Sequence, residues 1–268
     1  MTTIDKAFVK RSFNFSASTY DKHAGLQNRM VTELLGLAYA ESGWVAKVLD
    51  IGMGTGNLTA RLLEKFPSAH VHGCDIAEKM VFCAKGKLSP RVLFTVADAE
   101  FLPYKIKSFD LVVSSFTFQW LEPWNRALEQ VQRVLKPGGV FVFSVFGSKT
   151  FTELKQSYTK ACMHTGYTGG QALELSLTER KIKNLIISCG FREPLTRTCE
   201  VVEDYPCVNE LIRSIKGMGA RNASDRRNKT PGVRKVWKKM VELYEKDFGV
   251  QDKIPATFEI IMGKGVKA

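Results

Sequence analysis

Apolar runs and helical patterns alternate along the middle of the chain in the order expected of a parallel sheet. Lys47-Val48-Leu49-Asp50-Ile51 reads as a first strand, followed by a glycine-rich turn and a helical pattern over 58–66. A second strand follows at 70–75 with a helix through Met80 and Ala84, then a third strand at 92–97 and a fourth at 109–116 that runs into Gln119-Trp120. A helix over 124–135 is expected to stop at Lys136-Pro137-Gly138-Gly139, a strong breaker, before a fifth strand at 140–146. Beyond it come a helix over 151–164, a turn at Gly166, Gly169 and Gly170, a helix over 178–188 ending at Gly190, and a strand over 196–202. Two basic helical stretches, 207–217 and 233–248, flank a polar segment at 221–232, and 257–263 reads as the final strand. The pattern predicts a doubly wound α/β sheet.

Composition narrows the class. The 268 residues are 44% hydrophobic and 25% charged, enough apolar material for a sizeable core. No apolar run approaches the roughly 20 residues that span a bilayer, and no apolar stretch follows the charges of the N-terminus, so a signal peptide is not expected. The expected location is the cytoplasm, with no membrane partner. The six cysteines form no Cys-x-x-Cys pair and read as buried, unpaired small hydrophobes; no metal site is expected. The net charge is +12, and residues 211–247 carry 11 Lys/Arg against 4 Asp/Glu, an excess of +7. Such a patch suits an anionic partner, whether nucleic acid, membrane surface or acidic protein, and equally a solvated helix face.

The candidate chemistry sits at strand ends. Asp50-Ile51-Gly52-Met53-Gly54-Thr55-Gly56 places a tight turn at the carboxyl edge of the sheet, where glycines let the backbone approach a ligand. Dinucleotide sites space their glycines Gly-x-Gly-x-x-Gly to seat a pyrophosphate. The tighter spacing at 52, 54 and 56, with an acid two residues before, suits a nucleoside with a positive end, which Asp50 can balance directly or through water. Asp75, 25 residues after Asp50, can accept both ribose hydroxyls, and Asp98 can accept from the adenine amino group. Met80, one helical turn after Asp75, can pack on the adenine face. Each acid alone can be a helix cap, but three at consecutive strand ends point jointly to a nucleoside.

Asp50 to Gly56, Asp75-Ile76, Asp98-Ala99-Glu100 and Lys136-Pro137-Gly138-Gly139 together resemble the motifs of class I methyltransferases over about residues 45–147. The resemblance implies S-adenosylmethionine as cofactor and a seven-stranded, mostly parallel, Rossmann-like sheet whose last strand is antiparallel. The flanks are more specific. Arg11-Ser12-Phe13, Tyr20-Asp21-Lys22-His23-Ala24-Gly25-Leu26-Gln27, Ser114-Ser115-Phe116-Thr117-Phe118-Gln119-Trp120, Leu211-Ile212-Arg213-Ser214-Ile215-Lys216-Gly217-Met218-Gly219, Tyr244-Glu245-Lys246-Asp247-Phe248 and Thr257-Phe258-Glu259 occur in this order. They resemble the malonyl-acyl-carrier-protein O-methyltransferase family of biotin synthesis over nearly the whole chain. That family methylates the free carboxylate of a malonyl thioester on acyl carrier protein. Met53 stands where the family's loop usually has cysteine, and Ser115 where asparagine is common.

The chain reads as one domain over 1–268: a helical cap at 1–43, a cofactor-binding core at 44–147, substrate-side helices and a basic lid at 148–256, and a final strand and tail at 257–268. Expected cofactor residues are Asp50, Gly52, Gly54, Gly56, Asp75, Ile76, Met80, Asp98, Ala99 and Ser115, with Tyr20 and Gln27, seven apart on one helix, closing over the site. Gln119 and Trp120 are expected at the methyl-transfer point. Arg213, with Lys216 one turn on, is the candidate to hold the malonyl carboxylate through its planar fork. No general base is expected, because a carboxylate with a reference pKa near 4 is already ionised at pH 7. The basic lid then suits the acidic surface of malonyl-acyl carrier protein, with malonyl coenzyme A as the smaller acceptor and no nucleic acid. A methyltransferase of a free small acid such as aconitate or of a quinone precursor stays open. So do an RNA-binding methyltransferase and a non-catalytic binder of the cofactor.

Overall fold

A computed structural model describes residues 4–38, 43–121, 123–168, 176–219 and 231–268. The expected turn residues Gly169 and Gly170, and most of the polar segment 221–232, lie outside them.

Five parallel strands form the heart of the sheet: β1 (Lys47–Ile51), β2 (His70–Asp75), β3 (Leu93–Val96), β4 (Phe109–Ser115) and β5 (Leu135–Phe146). With β6 (Phe191–Tyr205) and β7 (Ile254–Lys267) they stand in the order β3-β2-β1-β4-β5-β7-β6. β7 runs antiparallel to both of its neighbours, β5 and β6. The interior strands are continuous apolar runs because both faces are covered. Val140 and Val142 of β5 point into one layer, with α3 (Gly25–Gly36), α4 (Asn57–Lys65), α7 (Thr152–Thr165), α9 (Val208–Gly217) and α10 (Pro231–Phe248). Phe141, Phe143 and Val145 point into the other, with α6 (Asn125–Val134) and α8 (Glu179–Ser188). Helix α5 (Glu78–Lys87) links β2 to β3.

Several element boundaries depart from the sequence pattern. α6 stops at Val134 as the breaker requires, yet β5 begins immediately, at Leu135. The Lys136-Pro137-Gly138-Gly139 stretch is absorbed as a register shift against β4 between Phe109 and Leu111. β6 and β7 run well beyond the apolar cores of 196–202 and 257–263, pairing from Phe191↔Lys267 to Tyr205↔Ile254. The cap is α1 (Lys6–Ser16), α2 (Tyr20–His23) and α3, so Tyr20 and Gln27 do not share a helix. Ala24, at φ −89 and ψ 23, interrupts the helical path between them. Of the cysteines only Cys74 is fully buried; the other five are half-buried.

Candidate functional site

The strand order reverses between β1 and β4, and at such a point the carboxyl ends of neighbouring strands diverge to leave a crevice. A pocket occupies it, walled by Gly52 and Gly54 after β1, Asp75 and Ile76 at β2, Asp98 and Ala99 after β3, and Ser115, Phe116 and Thr117 at β4. Met80 closes one side, and Lys6, Val9 and Phe13 of α1 with Tyr20 of α2 form the roof. Trp120 and Leu121 stand at its edge.

The glycine loop has the conformation its residues permit. Gly52, Gly54 and Gly56 all have positive φ, at 71°, 55° and 92°. A Cβ on Gly52 would lie 2.0 Å from the Thr117 hydroxyl, whereas one on Gly54 would meet only the Tyr20 ring at 3.9 Å. Gly52 therefore lets β1 and β4 close up, and Gly54 keeps bare backbone facing the pocket. Gly56 caps α4 and packs under Leu88, serving the loop's shape without forming the wall.

The three acids divide into different roles. Asp75 is buried; its Oδ2 accepts from the Gly54 N–H at 2.9 Å and its Oδ1 from the Ala77 N–H at 2.8 Å. Burial pushes its pKa up to about 6 against those two hydrogen bonds. Asp98 accepts from the Glu100 N–H at 2.9 Å and from Lys6 Nζ at 2.8 Å, and Lys6 also pairs with Glu100 at 2.7 Å. Asp50 is 1% exposed and lies beneath the loop, not in the pocket wall. Its Oδ2 accepts from the Thr59 hydroxyl at 2.6 Å, while its buried Oδ1 has no partner among the described residues. Burial first, then the Asp75 charge, pushes its pKa up to about 7. Tyr20, half-buried beside Asp75 and Asp21, has its phenol pKa raised by desolvation and by both carboxylates.

Of the residues singled out in the sequence, the pocket gathers Gly52, Gly54, Asp75, Ile76, Met80, Asp98, Ala99, Ser115, Tyr20 and Trp120. It does not gather Gln27, whose amide donates to Met218 Sδ at 2.9 Å between α3 and the end of α9. Gln119 also turns away and accepts from the Phe146 N–H at 3.3 Å, capping β5. Arg213 and Lys216 line a separate groove on the outer side of α1 and α2. Arg213 is two-thirds exposed there and ion-paired to Glu210. Sequence reasoning missed Lys6, Val9 and Thr117 and gave Phe13 no place at the pocket. The spacing of 6, 9 and 13 is a helical stripe and was the available signal. Phe13 packs edge-on against Trp120 with ring centroids 5.7 Å apart, roofing the mouth with aromatic surface.

A backbone cradle kept open by Gly54, the buried Asp75 carboxylate and an Asp50 oxygen beneath the loop with no partner among the described residues together fit a nucleoside with a cationic end. The methyltransferase-domain family matches residues 48–139. The fold recurs in the YcgJ protein of Bacillus subtilis (TM-score 0.58, 18% identity, 88% of this chain and 96% of that one). It recurs also in phosphoethanolamine N-methyltransferase 2 of Haemonchus contortus, solved with S-adenosylhomocysteine (TM-score 0.59, 19% identity, 100% and 60%). Fold and site thus define a class I methyltransferase that uses S-adenosylmethionine. The malonyl-[acyl-carrier protein] O-methyltransferase of Geobacter sulfurreducens is 38% identical over 265 residues, 98% of this chain and 99% of that protein. Its namesake in Paenibacillus is 31% identical over 96% of this chain and 97% of its own length. This chain belongs to the malonyl-[acyl-carrier protein] O-methyltransferase family.

Proposed function

We propose that this enzyme methylates the free carboxylate of a malonyl thioester carried on acyl carrier protein, an early step of biotin synthesis in the cytoplasm. The observation that carries the reading is the extent of the kinship. Similarity to relatives so named runs over 98% of the chain, through the cap and the α9–α10 segment, far beyond the 48–139 core common to methyltransferases. On this reading 1–43 caps a cofactor-binding core at 44–147, and the basic segment within 148–256 faces the carrier.

The cofactor, when bound, supplies an electrophilic methyl group on a sulfonium. The chain's residues bind, orient and exclude water. Asp75 accepts from the ribose hydroxyls with the lone pairs that Gly54 and Ala77 leave free, and its geometry is already set by those two amides. Asp98, held by Lys6, faces the adenine edge, with Ile76, Met80 and Ala99 against the base. Ser115 lies by the loop at the end of β4, and Asp50 balances the cationic end from beneath. Phe13, Trp120 and Leu121 form an apolar mouth that strips water from the incoming carboxylate. A desolvated, aligned carboxylate needs no general base, so catalysis rests on proximity and orientation.

Transfer of labelled methyl to malonyl-acyl carrier protein, with malonyl coenzyme A and RNA as competing acceptors, tests the reading. The carrier protein should be the preferred acceptor, coenzyme A a weaker one, and RNA inert. Preferred labelling of RNA, or of a free acid such as aconitate, would overturn it.

A further inference from the structure

The outer groove has a composition that methyl transfer at the pocket does not use. Arg213 and Lys216 stand one turn apart on α9, across from His23 of α2, and Asn209 adds an amide from the preceding turn. Phe15, 70% exposed, and Trp237 of α10 give the groove aromatic surface. Among the described residues no carboxylate lines it. Glu210 engages Arg213 through Nη1 only, and the remaining guanidinium N–H groups and Lys216 Nζ have no acceptor among the described residues. The arrangement is held tightly. A Cβ on Gly217 would lie 2.2 Å from the His23 ring, so only glycine lets α9 bring Lys216 against α2.

We propose that this groove binds the phosphodiester and adjoining pantetheine of the carrier protein's prosthetic arm. The proposal rests on the acyl-carrier reading above. Two cations of α9 facing one open volume, with the His23 ring of α2 across from them, suit a dianionic or monoanionic phosphate, which Arg recognises through paired N–H groups and Lys through its point charge. The aromatic surface suits the apolar methyl-bearing carbons of pantetheine. The position is also suitable. Phe13 of α1 roofs the cofactor pocket while Phe15, two residues on, lines the groove, so the two sites lie on different faces of one helix about 10–12 Å across. An extended arm anchored by its phosphate in the groove passes over α1 and delivers its malonyl end to the mouth at Phe13 and Trp120. Arg213 thus acts on the arm's phosphate instead of on the malonyl carboxylate.

Two small acceptors separate these roles: malonyl-pantetheine 4′-phosphate and malonyl-pantetheine, which differ only in the phosphate. For the unaltered enzyme the phosphorylated thioester should have the lower KM, by about tenfold or more, the scale of one charge-assisted hydrogen bond. In the double variant Arg213→Gln/Lys216→Gln the two KM values should converge, the change falling on the phosphorylated thioester and kcat staying similar. Both side chains are exposed, and a retained thermal midpoint checks the fold. Equal KM values for the two thioesters in the unaltered enzyme overturn the groove while leaving the acceptor reading standing. So does an equal rise on both in the variant, which returns Arg213 to the malonyl end. Transfer to neither, with malonyl-acyl carrier protein still methylated, overturns the groove; no transfer to any of the three overturns the acceptor reading as well.

Discussion

At the scale of single residues the buried acids make the sharpest forecasts. Asp50 and Asp75 have folded-state pKa values raised to about 7 and about 6, above their unfolded value of 3.8. A raised acid stabilises the fold at low pH, where it is protonated in both states, relative to high pH, and that contribution is lost as pH climbs through the folded value. The cofactor-free thermal midpoint should therefore fall between pH 5 and pH 8, and Asp50→Asn should flatten the slope. A cationic ligand favours the ionised carboxylates, so binding S-adenosylmethionine should release protons near pH 6–7 and tighten as pH rises toward 8. Calorimetry in buffers of different ionisation enthalpy measures that release; proton uptake would contradict the charge-balance role of Asp50. Asp75→Ala should weaken cofactor binding by roughly 1–3 kcal/mol, since the ribose hydroxyls and the Gly54 amide lose a buried acceptor; unchanged affinity would remove Asp75 from the site. Asp75 was legible in the sequence because strand end and acid coincide locally. Lys6 was not, because its partner Asp98 is 92 residues away and only the fold joins them. Gln119 sits beside Trp120 in sequence, yet a single turn of 3-10 helix at Phe118–Trp120 sends one to the sheet edge and the other to the pocket.

At the scale of elements, the sequence was clearest where both faces of a strand are buried and weakest where one side is wet. The apolar runs of β1, β4 and β5 announced themselves. β6 is an edge strand whose burial alternates along its length, so its polar outer thirds carried no apolar run and its true extent emerged only from pairing with β7. The cap was legible as helical, but its break at Ala24 was not, since alanine is a favourable helix residue and tertiary packing overrides it. The cap and α9 meet through glycines. Gly219, at φ 78°, would place a Cβ 2.7 Å from the Phe13 ring, which in turn packs on Trp120. Gly219→Ala should cost about 1–2 kcal/mol from the left-handed backbone alone. It should also displace Phe13 and lower kcat with less effect on cofactor affinity. Denaturant unfolding and steady-state kinetics read the two effects separately, and a variant with wild-type stability and turnover would show that the α9–α1 contact does not shape the mouth.

At the scale of the whole molecule, charge is the feature that composition revealed and the fold localised. Helix α9 sets Arg213 and Lys216 in the outer groove, which Trp237 of α10 also lines. Lys235 and Lys238 of α10 are exposed, whereas Lys239 pairs with Glu242 at 2.7 Å. Lys235→Glu with Lys238→Glu should slow association with malonyl-acyl carrier protein. The defect should shrink with salt, since exposed charges are screened over about 8–10 Å near physiological ionic strength. Malonyl coenzyme A, lacking the protein surface, should be affected much less, and an equal loss on both acceptors at every salt concentration would mean structural damage and not lost steering. The acceptor itself is decided most directly by intact-mass analysis of carrier protein after incubation with enzyme and S-adenosylmethionine. Malonyl-loaded carrier should gain the mass of one methyl substitution, confined to the malonyl group and removed by ester hydrolysis, and acetyl-loaded carrier should gain none. Equal gain on both carriers, or none on the malonyl form from enzyme that binds the cofactor, would contradict carboxyl methylation of a malonyl thioester.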